Sequence, residues 1–197
     1  ADKYDISRDA QDDFAYESQK RAIKAVDSGR FADEIVPIEV PLRKETITFK
    51  DDEYPNRTTT REILSKLRPA FKKDGSVTAG NSSGLNDGAS FLLLASESYV
   101  KAHGLTPMAE IMATGQAGVD PSVMGLGPTP AIKNALSMAD LAFDQIDLIE
   151  LNEAFASQSL GVIKELSDLY AVDEKTLLGK TNVNGGAIAL GHPVGMS

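Results

Sequence analysis

Two side chains able to do chemistry stand late in the chain: His192, set between Gly191 and Pro193, and Asn152, in the segment Asp147-Leu148-Ile149-Glu150-Leu151-Asn152-Glu153-Ala154-Phe155-Ala156. A histidine has an unperturbed pKa near neutrality, so one held at a backbone corner can act as a general base or donate to a developing oxyanion. Its surroundings suit that use. Gly185 and Gly186 permit positive φ and close backbone approach, Pro193 fixes φ, and Gly191 leaves space beside the ring. Taken alone, Gly-His-Pro fits a turn with a satisfied, partly buried histidine better than a catalytic group. Asn152 has the same ambiguity, because an asparagine between a strand and a helix caps the helix as readily as it orients a water.

Three blocks taken together change the reading. Thr78-Ala79-Gly80-Asn81-Ser82-Ser83-Gly84-Leu85-Asn86-Asp87-Gly88-Ala89, Asn152-Glu153-Ala154-Phe155-Ala156 and Asn182-Val183-Asn184-Gly185-Gly186-Ala187-Ile188-Ala189-Leu190-Gly191-His192-Pro193 resemble, in order and spacing, motifs of the thiolases, the acyl-coenzyme A C-acetyltransferases. Weaker similarity runs through nearly the whole chain. The resemblance implies a layered α/β/α/β/α architecture. Residues 1–80 would form the latter part of the loop domain and its return, and residues 81–197 most of the C-terminal half. It implies a ping-pong reaction that condenses two acetyl-CoA to acetoacetyl-CoA, or the reverse thiolysis. His192 would activate the nucleophile and, with a water held by Asn152, form an oxyanion hole for a thioester carbonyl. Ser83 would contact the pantetheine arm with Ala79 as a neighbouring backbone contact, Met124 would wall its channel, Leu67 and Phe71 would flank adenine or pantetheine, and Phe155 would also bind substrate. The ligand is acyl-CoA or CoA as substrate, with no further cofactor and no metal, and the intact enzyme would be a homodimer or homotetramer.

The departures are as informative. The family's nucleophilic cysteine lies upstream of anything here and its second cysteine beyond Ser197, and the chain contains no cysteine. This chain alone is therefore expected to be inactive, since binding cannot replace a missing nucleophile. A non-catalytic acyl-CoA-binding or structural module, and a ketoacyl-synthase relative, are the competing readings. The last normally uses two histidines, and only His192 is suitably placed.

Composition sets the outer bounds. With 42% hydrophobic and 25% charged residues the chain can bury a substantial core, and its net charge of −9 disfavours nucleic acid and requires local donors for any anionic ligand. No apolar run reaches membrane-spanning length and the first residues do not show the charged-then-apolar pattern of a signal peptide, so a cytoplasmic protein is expected. The absence of an initiator methionine and the abrupt stop at Ser197 suggest cropping at both ends.

The elements that must position these residues follow from pattern. Ser7 caps a helix with Asp9 and Asp12 in its first turn and Phe14, Ser18, Ala22, Ala25 and Val26 at helical spacing, ended by Gly29. Asp33 to Val40 reads as an edge strand, with a short strand at Thr46 to Phe49. Thr59 and Glu62 form a capping box for a short helix before Pro69. Ala89 to Ala95 is uncharged and suits a strand buried on both faces, Glu97 to His103 a helix with His103 at its C-terminus, and Met108 to Gly118 a central strand. Thr129 caps a helix beginning at Pro130 that buries Ile132, Ala135, Leu136 and Ala139. A strand at Asp147 to Leu151 and a helix from Glu153 to Leu169 complete an alternation typical of α/β layers. Asn152 then lies at the carboxyl end of a strand, where open sheets hold ligands, and Glu153 serves the helix dipole.

Overall fold

Ser7 accepts a hydrogen bond from the Ala10 amide and starts α1 (Arg8–Asp27), the longest helix of the computed structural model, which describes residues 1–197. Its buried face is Ala15, Ser18, Ala22 and Ala25, small residues that let other backbones approach closely, joined by Gln11, Asp12 and Gln19. Phe14 and Val26, expected on that face, are only partly buried, so the helix is rotated slightly toward its polar side. Asp12 is consequently buried, bonded to Arg8 Nε at 2.7 Å and to Asn81 Nδ2 at 2.9 Å. Gly29, at φ 71, follows the helix.

The first strand is shorter than its pattern suggests. Only β1 (Ile38–Pro41) pairs, antiparallel, with β2 (Thr46–Phe49), and both strands are largely exposed. The short helix α2 (Arg61–Ser65) is capped by Thr60, which accepts from Ile63 N at 3.1 Å, one residue later than expected. Helix α3 (Glu97–His103) matches its expected bounds. His103 stacks on Tyr99 at 3.9 Å and ends the helix before Gly104, which takes the left-handed conformation. Helix α4 (Pro128–Ala139) starts at Pro128 after Gly127, two residues before Pro130, and Thr129 is buried inside it. Helix α5 (Ala156–Tyr170) begins later than expected because the chain stays extended through Phe155, which bridges Ser82. Helices α6 (Glu174–Lys180) and α7 (Ala187–Leu190) close the order.

The expected buried strands at 89–95 and 108–118 do not form. Both segments lack regular secondary structure, and Phe91 and Leu93 are 95% and 93% exposed. Their apolar character asks for neighbouring strands, and neither segment pairs in a sheet: the one sheet of the chain is β1 with β2, and the neighbour of Gly115 is α4. Of the expected parallel layer around 147–151, one bridge is present, Ile149 to Thr181. The observed fold is mixed α/β and mostly helical.

Two cores hold the helical part. Phe143, Leu151, Val162, Ile163, Leu166 and Leu177 form the larger, fixing α5 against α6 and the segment that leads to Asn152. Ala15, Leu64, Ala156 and Ile188 form the smaller, between α1, α2, α5 and α7. Each fully buried leucine or isoleucine contributes about 2 kcal/mol of apolar burial. The two cores meet on α5, whose first residue, Ala156, lies four positions after Asn152.

Candidate active site

Residues 151–153 alternate as a strand does: Leu151 is buried, Asn152 exposed and Glu153 buried. Leu151 anchors the segment in the larger core, so Asn152 must point the opposite way. The backbone partner of this strand end is a side chain. Asn182, held at φ 48, accepts from Leu151 N and donates to Leu151 O, both at 2.7 Å, as a neighbouring peptide would. A left-handed asparagine is tolerated because its short amide can bond locally.

The His192 segment is fixed from two sides. Gly185, at φ +83, lets the turn press on α1, where a Cβ would stand 2.6 Å from Ala22 Cβ. Gly186 N donates to Ser18 Oγ at 3.1 Å, and α7 follows at once. On the other side, Leu85 and His192 form a parallel bridge, and His192 N donates to Asn86 Oδ1 at 3.3 Å. The space beside Gly191 is therefore not left for a ligand. A Cβ there would meet Asn86 Oδ1 at 2.4 Å, so the asparagine occupies the room that the glycine provides.

The glycine-rich block is thus the clasp between the other two motifs. Its Ser83 N donates to Ala154 O at 3.0 Å, while its Asn86 holds His192. Thr78 and Asn81 cap each other across the turn at its start. The outcome is that Asn152 Nδ2 and His192 Nε2, forty residues apart in sequence, lie 3.4 Å from each other. That separation is contact without a short hydrogen bond, so neither group is fully committed to the other. His192 Nδ1 is buried with no hydrogen-bond partner. A ring nitrogen and a side-chain amide held side by side are groups of the kind that can stabilise an oxyanion.

An open cleft of about 470 Å³ adjoins Asn152 and Gly191 and is lined also by Phe31, Ile35, Asp52 and Glu150. Burial pushes the Asp52 carboxyl above its ordinary value, and burial with the neighbouring Glu153 charge does the same for Glu150. Glu153 itself is 1% exposed. It does not face the N-terminus of α5, because α5 starts only at Ala156; its carboxylate instead accepts from Ser18 Oγ at 2.6 Å, from Asn182 Nδ2 at 2.8 Å and, in the first turn of α7, from Ile188 N at 3.1 Å. Burial pushes its pKa up, against the hydrogen bonds from Ser18, Asn182 and Ile188. The period-two alternation through 151–153 is the signal that could have revealed this, since it turns Glu153 inward whenever Asn152 faces out.

The other candidate residues are distributed around this junction. Phe71 and Phe155 meet edge to face with centroids 6.0 Å apart, Phe71 largely exposed. Leu67 packs beside the smaller core, close enough to Gly80 that a Cβ there would lie 2.5 Å from Leu67 Cδ1. Ala79 opens a 3₁₀ turn and is exposed, and Ser83 is half-buried. Met124 stands exposed on the 3₁₀ segment Pro121–Leu126, which packs against α5 through Gly125 and Gln158. Ser18, Asn182, Asn86 and Glu153 were not among the expected site residues, and all four hold the segments that carry Asn152 and His192.

The thiolase N-terminal domain matches residues 1–98 and the thiolase C-terminal domain residues 105–197. The acetyl-CoA acetyltransferase of Pseudomonas aeruginosa is 54% identical over 100% of this chain and 48% of its own length. Among solved structures, the Bacillus anthracis acetyl-CoA acetyltransferase superposes with a TM-score of 0.91 at 47% identity, covering 98% of this chain and 47% of that one. Human mitochondrial 3-ketoacyl-CoA thiolase in complex with CoA gives a TM-score of 0.83 at 47% identity, covering 100% and 47%. The chain spans about half the length of the curated relatives it matches. With three motifs clasped around one amide–imidazole pair and both domain models matched in order, this cysteine-free chain belongs to the thiolase family.

Proposed function

We propose that the chain supplies the oxyanion-binding half of a thiolase-type acyltransferase site, with an acyl-CoA thioester as substrate. The observation that carries this reading is the approach of Asn152 Nδ2 to His192 Nε2 at 3.4 Å. When an outside thiolate adds to the 3-keto carbon of acetoacetyl-CoA and the C2–C3 bond breaks, the acetyl group stays on the thiolate sulfur and the electron pair leaves as the acetyl-CoA enolate, with its charge on the thioester oxygen. His192 Nε2–H donates to that oxygen, and a water oriented by the Asn152 amide donates the second hydrogen bond. Preorganised donors of this kind lower a barrier by about 3 kcal/mol each. The thiolate has to come from outside this chain, which has no cysteine, so the isolated chain is inactive in condensation and thiolysis.

Ser83 and Ala79 then contact the pantetheine arm, Met124 lines its channel, and Phe155 with Phe71 and Leu67 forms the apolar rim toward the adenine end. Residues 1–80 belong to the loop domain and its return and 81–197 to the C-terminal half of a layered α/β/α/β/α enzyme, which is cytoplasmic and assembles as a homodimer or homotetramer. In that setting the exposed apolar segments 89–95 and 108–118 become interior strands. The absence of cysteine favours one other reading, a non-catalytic module that binds acyl-CoA.

The test is a hybrid in which this chain replaces the matched stretch of the P. aeruginosa acetyl-CoA acetyltransferase. The hybrid is expected to cleave acetoacetyl-CoA, and Asn152→Ala to lower kcat by about 10²-fold with little change in KM. Full activity in both Asn152→Ala and His192→Ala hybrids would refute the proposal. CoA binding by the isolated chain, measured by calorimetry, combined with an inactive hybrid would favour the non-catalytic module.

A further inference from the structure

Glu153 is a carboxylate withdrawn from water, and such a group is tolerated only where donors replace its hydration. Its three donors come from three separate places: Ser18 on α1, Asn182 on the turn before the glycines, and the Ile188 amide on α7. Ser18 and Asn182 each do a second task at the same junction. Ser18 Oγ accepts from Gly186 N, and the Asn182 amide closes the Leu151 strand end. Gly186 has no side chain at the point where a Cβ would stand 2.3 Å from Glu153 Cδ, so the carboxylate passes through space that only glycine leaves. Glu153 is the residue after Asn152, and its contact Ile188 lies four residues before His192.

We propose that Glu153 is a positioning residue for the oxyanion-binding pair, tying the segment that carries the Asn152 amide to the helix that precedes His192 and so setting the distance between them. It touches neither reacting atom; it acts through the Asn152 and His192 segments. The proposal rests on reading these two residues as an oxyanion-binding pair, but the tie can be measured without any reaction.

The experiment uses the 197-residue chain with isotope labelling. In the wild type, a nuclear Overhauser cross-peak is expected between the Asn152 side-chain amide protons and the His192 ring proton next to Nε2, as their 3.4 Å separation requires. Glu153→Gln keeps the shape but turns one acceptor into an NH₂ that faces donors. The expected result is loss of that cross-peak and a shift of the Asn152 amide signals, while circular dichroism still reports the helices. Ser18→Ala removes one of the three donors and is expected to weaken the cross-peak in a folded protein. An unchanged cross-peak in folded Glu153→Gln overturns the proposal. Should Glu153→Gln not fold, an unchanged cross-peak in Ser18→Ala overturns it instead. Calorimetric titration of CoA into the wild-type chain is read separately. Absence of CoA binding there would count against the functional reading and leave the tie to be judged by the cross-peak alone.

Discussion

The segment from 85 to 118 and the junction from 151 to 192 invert what their compositions suggest. The first contains the least polar run in the sequence, yet Leu85, Phe91, Leu92, Leu93 and Met108 stand almost fully exposed. The second is crowded with Asn, Glu, Thr and Gly, yet Glu153, Thr181 and Asn182 are buried. The difference lies in the availability of partners. An apolar strand needs neighbours of its own kind on both edges and both faces, whereas a polar side chain buried with matched donors and acceptors can close a junction inside one short stretch of chain. The junction therefore finds its partners at Ser18, Asn86 and Asn182, whereas the apolar side chains of 91–94 find no such cover.

This contrast can be broken most forcefully at Asn182. Asn182→Ala leaves Leu151 N, Leu151 O and Glu153 Oε1 without this partner in a buried place, and a loss of about 3 kcal/mol or more is expected by chemical denaturation. Next is Gly185→Ala, strained at φ +83 and pressed against Ala22, for which a loss of about 2 kcal/mol is expected by the same measurement. Glu153→Gln sharpens the comparison through pH. Because the folded-state pKa of Glu153 is raised above 4.5, its contribution is fully present below 4.5 and is lost as the pH climbs through the raised value. Melting temperatures measured against pH should show that declining limb in the wild type and a flatter profile in Glu153→Gln. The smallest effect belongs to the exposed segment: Phe91→Ser should change stability by less than about 0.5 kcal/mol while lowering dye binding to exposed apolar surface. A large destabilisation by Phe91→Ser would show that the segment is packed in solution and would dissolve the contrast.

Much of the helical frame could be read in advance, because its signals are local. Ser7 as a cap, Gly29 as a stop and the bounds of α3 each depend on a few adjacent residues. The pair Asn152 and His192 was legible through its motifs, and the structure brings the two side chains together. The strands at 89–95 and 108–118 were not, since an apolar pattern states what a segment would bury and is silent on what covers it. Glu153 was assigned to the N-terminus of α5, when its carboxylate meets the first turn of α7, for a different reason. A glutamate beside an expected helix start looks like a partner for the dipole, but the bridge between Phe155 and Ser82 keeps the chain extended and delays the helix to Ala156. The start of α4 shifted by the same kind of competition, Pro128 taking the first helical position ahead of Pro130.

Asn182 offers a last point about how an edge is ended. A peptide unit can always be followed by another, so a backbone ladder has no internal stop, whereas a side-chain amide brings one carbonyl and one NH₂ and is then exhausted. By giving both to Leu151, the chain imitates one rung and punctuates the row there. The residue beyond that full stop is Asn152, released from sheet duty and turned outward. Exchanging Asn182 for aspartate would keep the outline of the rung and reverse half its grammar, setting an acceptor against Leu151 O and Glu153 alike.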